Sequence, residues 1–380
     1  MGCCGSKPSV ETLVKDAQKS LSEFAAAQEA ANFEEANRAL ERAVSQYGEA
    51  FVKARDEHHA SYIGISINYA STLDTYTSTT GKTAEHTAIV VLSGVRNEFK
   101  DQAKKPILYP TLLNTLATAH LNQYHEPGNA VNKNQVLKLA GTFFDEVRTV
   151  IPDAVSNSQY SRSLIGSATV LCLECERPGE EKAPQHSKKS SDAIELLGQV
   201  HVEYREQYPF EYYRQLATAH DMRFRQTRTT IDESRTMSDS SLEDLAKAIE
   251  YNTTILASAS NAGDKAACLI DLGNQEFEKL VRTQTPNESN LREVEKHMTE
   301  AEDLLQQLDS DPTNLRSLCD TLKANITNYR NRRPTLDYGR TMPARRQSTT
   351  TSVTSTPRPV GKGPQTILEG EAEVAEPGTI

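Results

Sequence analysis

Tyr109-Pro110 leads into Leu116-Ala117-Thr118-Ala119-His120, and further along the chain Tyr208-Pro209 leads into Leu216-Ala217-Thr218-Ala219-His220. Five identical residues after the same Tyr-Pro pair mark an internal repeat. The choice of small residues has a physical reason: Ala and Thr let a neighbouring helix approach closely, and Pro is tolerated in a first helical turn, where its missing N–H would find no partner. The stretch reads as a helix that crosses other helices, used twice.

Working outward, the same helical pattern extends almost without interruption from residue 9 to 330. Val10, Leu13, Val14, Ala17, Leu21 and Phe24 recur at three- and four-residue steps, and Ala36, Leu40, Ala43, Tyr47, Ala50 and Ala54 do so again after a break at Asn32. Ser9 is placed to cap the first helix, with Glu11 in its first turn. No segment alternates at period two, so no strand is expected. First helices starting near Val10, His59, Tyr109, Asn157, Phe210, Ala262 and Thr313 are spaced by roughly 50 residues, a period that indicates stacked units. The expected fold class is all-α: an α-solenoid of about six antiparallel helix pairs over 9–330, preceded by a short segment 1–8 and followed by a tail 331–380.

Paired helices with small residues at the crossing, stacked as Leu-Ala-x-Ala units, resemble the tetratricopeptide-repeat superfamily and its longer-armed relatives such as kinesin light chain. The resemblance implies a stack whose first helices line a concave groove for a peptide. The chain departs from that pattern in having no Trp and only degenerate Gly placement such as Leu272-Gly273, and the usual repeat is only about 34 residues. A compact bundle or another hairpin array, of the 14-3-3 or SNAP kind, stays open.

Met1-Gly2-Cys3-Cys4-Gly5-Ser6 sets Gly2 behind a Met and Ser6 where an N-myristoylation pattern has Ser or Thr. Cys3 and Cys4 then stand where palmitoylation would follow. A myristoyl chain alone binds a bilayer reversibly, with an association constant of roughly 10⁴ M⁻¹, and a second acyl chain makes attachment durable. This opening is similar to the dual-acylated ends of G-protein alpha subunits, Src-type kinases and the Ragulator anchor subunit, and the similarity speaks only to lipidation of Gly2, Cys3 and Cys4.

The formal net charge of −10 argues against sequence-independent binding of nucleic acid, which needs clustered Lys and Arg. No apolar run approaches the roughly 20 residues of a spanning helix, so membrane contact is expected from lipid alone. Six cysteines in 380 residues do not read as a disulfide framework, and a reducing compartment at the cytoplasmic face of a membrane is the expected location. Cys172-Leu173-Glu174-Cys175 lacks both the βαβ context of a redox motif and the second ligand pair of a zinc site, and is read as two thiols on an apolar helix face. Thr80-Gly81-Lys82-Thr83 lacks the first glycine of a phosphate loop, that position being Tyr76, and is read as a turn. No nucleophile with an identifiable base emerges, no metal constellation is formed and no cofactor is indicated; the chain is not expected to be an enzyme.

Candidate groove residues are Asn114, Thr118 and Asn122 on the third first helix and Arg214, Thr218 and Arg225 on the fifth, with Arg223 and Arg228 nearby. Basic residues within an acidic protein suit an acidic or phosphorylated partner segment; the alternative is that these arginines pair with Glu203, Glu206 or Glu211. The tail is rich in Pro, Ser, Thr and Arg, a composition that cannot bury enough apolar surface to fold. Its Arg345-Arg346-Gln347-Ser348 and Thr356-Pro357 fit kinase substrates, making Ser348 and Thr356 candidate phosphorylation sites. The function so indicated is a membrane-tethered scaffold for protein partners; a lipid-facing coat protein and a helical enzyme with no legible motif are the alternatives.

Overall fold

A computed structural model of the chain describes residues 7–82, 84, 86–125, 132–151, 157–175, 184–230, 239–259, 261–283, 288–307 and 315–331. Every regular element among the described residues is an α-helix. The first six are α1 (Val10–Glu29), α2 (Phe33–Asp56), α3 (Tyr62–Thr80), α4 (Ala88–Phe99), α5 (Tyr109–His125) and α6 (Lys133–Val150). The remainder are α7 (Ser158–Cys175), α8 (Pro184–Gly198), α9 (Val202–Gln207), α10 (Pro209–Thr230), α11 (Asp239–Ser258), α12 (Ala262–Thr283), α13 (Glu288–Gln306) and α14 (Leu315–Asn331). First helices begin at Val10, Tyr62, Tyr109, Ser158, Pro209, Ala262 and Leu315, so the repeat period read from the sequence is the period of the structure.

Local chemistry sets these boundaries. Ser9 Oγ accepts the Thr12 N–H at 3.2 Å, Asn32 Oδ1 that of Glu35 at 3.3 Å and Thr87 Oγ1 that of Val90 at 3.3 Å, each meeting a donor that a helix start leaves without an intrahelical partner. Gly81 ends α3 at φ +67°, its N–H bonded to the Thr77 carbonyl, a left-handed conformation that costs glycine nothing. The Thr80–Thr83 stretch thus begins as a helix terminus.

The helices gather into two compact units, α1–α6 and α7–α14. In the first, each helix packs on the next and α3 also packs on α5. Connections this short return the chain antiparallel. The first half of α3, covered by its own partner and by adjoining pairs, has no side left for water: every residue from Tyr62 to Ala70 is buried. Its polar side chains are accommodated locally, with Ser66 and Thr72 hydroxyls donating to the carbonyls of Tyr62 and Asn68 at 2.7 and 2.8 Å. The second helix α2 buries a single stripe, Ala36, Ala39, Leu40, Ala43, Tyr47, Ala50 and Ala54, and turns its charges outward.

In the second unit α7 packs on α8, both meet α10, and α10 to α14 follow in succession. Gly273 of α12 admits α13 closely: a Cβ there would stand 2.5 Å from Met298 Cε. The short α9 was not expected from the sequence, whose pattern provided two helices per repeat. It is held by Arg205, which donates to the carbonyls of Gly198 and Val200, both at 2.7 Å, and by Tyr204, which packs on Tyr208 with ring centroids 4.7 Å apart.

Leu40 is fully buried while Phe33, on the same helix, is 53% exposed. Leu40→Ala is expected to cost about 2–5 kcal/mol of stability, and Phe33→Ala to stay within about 0.5 kcal/mol, as read by urea denaturation.

Candidate functional site

The two copies of the repeated segment occupy the same environment. Leu116, Ala117, Ala119 and His120 are buried with Thr118 half-buried, and Leu216, Ala217, Ala219 and His220 are buried with Thr218 half-buried. Thr118 Oγ1 donates to the Asn114 carbonyl at 2.9 Å and Thr218 Oγ1 to the Arg214 carbonyl at 3.0 Å. Each histidine faces the second helix of its pair: His120 stacks on Phe143 of α6 at 5.6 Å and His220 lies against Tyr251 of α11 at 5.7 Å. The letters repeat because the packing repeats.

The second copy adds charge. Asp244 of α11 receives Arg223 Nε at 2.8 Å and lies 2.8 Å from His220 Nδ1. Burial alone would push the Asp244 carboxyl up; its hydrogen bonds with His220 and Arg223 outweigh that and hold it below the ordinary value of 3.8. The cluster ties α10 to α11, with His220 and Asp244 buried and Arg223 partly exposed.

The proposed groove residues fall in different surroundings. Asn114 is fully buried and Arg214 is 7% exposed, the latter with its guanidinium 5.7 Å from the Phe210 ring centroid. Thr118 and Thr218 spend their hydroxyls on carbonyls of their own helices. Asn122 donates to Asp74 Oδ2 at 3.1 Å, joining α5 to α3. Arg225 pairs with Asp221 one turn earlier at 2.6 Å. Arg223 of α10 thus engages Asp244 and Arg225 engages Asp221; the side chain of Arg228 lies outside the described residues. The first three groove candidates belong to one compact unit and the last three to the other.

Sequence reasoning missed the acidic half of this surface. Asp271 of α12 is exposed to solvent, with protein crowding its carboxyl from one side. That crowding pushes its carboxyl up to about 6; Asp221 reinforces the rise, and Arg214 and Arg225 oppose it. A signal for such residues was present. Asp74 and Asn122 are 48 positions apart, one repeat, and so stand on successive first helices.

The thiols lie in the core. Cys172, Cys175, Cys268 and Cys319 are all buried, Cys172 in a cluster with Leu164 and Ala168. Burial pushes the Cys268 thiol up to about 12 and the Cys319 thiol up to about 11, which keeps both protonated and unreactive. Among the described residues no group of three or more His, Cys, Asp or Glu is placed to hold a metal ion, and no helix is long and apolar enough to cross a membrane. Gly2, Cys3, Cys4, Ser348 and Thr356 lie outside the described residues.

No protein-family model matches the chain, and no curated relative matches it in sequence. Among solved structures it is similar to two of the nuclear import adaptor Nro1, one described as the hypoxic regulator of sterol synthesis and one as the S. pombe protein. Each aligns with a TM-score of 0.45 and 11% identity, covering 82% of this chain and 94% and 99% of those chains.

The two aspartates predict opposite pH effects. An unfolded Asp ionises near 3.9, whereas Asp271 in the fold stays protonated to about 6, so it costs stability progressively as pH rises from about 4 to 6. Asp271→Asn should remove that loss, seen in urea midpoints measured across the window. Asp244, held low, contributes stability that is present above its ordinary value and lost as pH falls through its lowered one; Asp244→Asn should be destabilising at pH 7, with a smaller loss of stability on acidification than wild type.

Proposed function

We infer that the chain is an adaptor without catalytic chemistry of its own, which gathers partner polypeptides along its first helices while acyl chains on Gly2 and on Cys3 or Cys4 hold it at the cytosolic face of a membrane. The observation that carries the adaptor reading is the row of polar side chains on first helices: Asp74 with Asn122 in one unit, and Asp221, Arg225 and Asp271 in the other. Asn122 with Asp74 and Arg225 with Asp221 bond one another within the fold, and a bound peptide presents backbone and side-chain hydrogen-bond partners that would compete for them.

Arg225 is partly exposed, its side chain 39% accessible. An acidic or phosphorylated segment would draw it away from Asp221, because a guanidinium takes a phosphate in two parallel hydrogen bonds. The buried, protonated thiols favour this reading over thiol catalysis. The Gly2-Cys3-Cys4 pattern supports the tether, since two acyl chains together supply the durable attachment that one lacks. Phosphorylation of Ser348 or Thr356 would add about −1.5 to −2 charges among the arginines of the tail and so tune docking.

Two measurements test this. Gly2→Ala should move the protein from the membrane pellet to the supernatant of fractionated eukaryotic cells; an unchanged pellet refutes the tether. Arg225→Gln should weaken an identified acidic partner by roughly tenfold, about 1.4 kcal/mol, while circular dichroism shows the helices intact. If the partner binds equally well, the groove reading fails.

A further inference from the structure

The connection between α4 and α5 carries the most exposed large apolar side chain of the described residues: Ile107 is 93% accessible, against 59% for Val90, the next. The loop that presents it is built, not loose. Lys105 Nζ donates to the carbonyls of Phe99 and Lys100 at the end of α4 and lies 5.3 Å from the Tyr109 ring centroid. Gln102 N–H donates to the Phe99 carbonyl at 3.1 Å and Tyr109 N–H to that of Pro106 at 2.9 Å. Leu108 turns inward beside Gly64, where an added Cβ would lie 3.5 Å from its Cδ1. Ile107 is thus held out into solvent, with the exposed Lys100 and Lys104 on the same loop.

Contacts within this unit place the loop at the end of the helix array where the amino terminus emerges. Lys53 Nζ donates to the Pro8 carbonyl, and His59 Nε2 lies 3.0 Å from Glu11 Oε1, which joins the start of α1 to the α2–α3 turn. Tyr62, opening α3, donates to Glu98 Oε1 near the end of α4 at 3.1 Å. The start of α1 thus meets the α2–α3 turn, and α3 in turn packs on α4 and α5, between which the loop lies. Exposed acids share this end: Asp101 on the loop, Glu98 engaged by Tyr62, and Glu11, Asp56 and Glu57 paired with His59, Arg55 and Lys53.

We propose that the 100–107 loop is a second membrane contact, in which Ile107 enters the headgroup boundary of an anionic bilayer while Lys100 and Lys104 meet its lipid phosphates and carboxylates. This rests on the tether reading only in its choice of a bilayer as occupant: the amino-terminal segment ends at this face, and an exposed apolar side chain on a loop with Lys100 and Lys104 exposed and Asp101 its single acid complements a negatively charged lipid surface. The loop would orient a chain that acylation alone leaves free to tumble.

The test uses the full chain without acylation, on phosphatidylcholine vesicles with and without phosphatidylserine. The expected result is binding that requires phosphatidylserine and weakens roughly fivefold or more with Ile107→Asp and with Lys104→Glu. Phe33→Asp, an exposed position at the opposite end of α1 and α2, should leave it unchanged. Absent vesicle binding by the wild-type chain, equal binding by all variants, or loop variants that bind vesicles normally but lose a protein partner each overturn the proposal. Cell fractionation separates the two readings. If Gly2→Ala still pellets and Ile107→Asp in that background releases it, the anchor fails and the loop stands; if Gly2→Ala alone releases the protein and vesicle binding ignores Ile107, the loop fails and the anchor stands.

Discussion

A first helix pressed between neighbouring pairs must be slender where it crosses them and self-sufficient in hydrogen bonding where it is buried. Most other features follow from that constraint. Alanine and threonine dominate the crossing, as in Leu116-Ala117-Thr118-Ala119-His120, and the hydroxyls of Thr118 and Thr218 return to carbonyls four residues back, so that each keeps an acceptor where water is scarce. Larger polar groups appear where the partner helix can answer them. His220 and Asp244 do so across α10 and α11, and Asn252 of α11 donates to Gln275 of α12 at 2.9 Å.

Second helices carry a different burden. Each has one face toward its partner and one toward water, hence the strict alanine stripe of α2 and its charged outer side. Arg96 of α4 illustrates how such a helix is fixed laterally: its guanidinium pairs with Glu146 of α6 at 2.6 Å and lies 5.1 Å from the Phe143 ring centroid, while Tyr109 donates to the same carboxylate at 2.7 Å. Three helices converge on one carboxylate that is largely shielded from solvent, where the interaction is screened less than a surface pair would be.

Helix content, period and the positions of first helices were legible because burial writes a three- and four-residue rhythm that short polar breaks interrupt. The place of Cys172 was legible for the same reason, lying one helical turn from Ala168 and two from Leu164. What resisted reading depends on neighbours across the fold. Nothing local distinguishes Asp271 from any other surface carboxylate, because its raised affinity for a proton comes from protein gathered around it. Asn114 and Arg214 looked like surface polar residues, yet they occupy the same buried register in the two repeats, a point that only the alignment of their neighbours reveals. The short α9 was hidden because six residues are too few for a periodic signal beside a longer helix.

The close seat of Met298 over Gly273 carries a chemical vulnerability. Met298 is fully buried, with Cys319 Sγ 3.8 Å from its sulfur. Conversion of that thioether to a sulfoxide would add a polar oxygen in a space already too narrow for a methyl group, with the thiol as its nearest sulfur neighbour. Peroxide that reached this core would pry α13 from α12, and the damage would be felt there as lost packing.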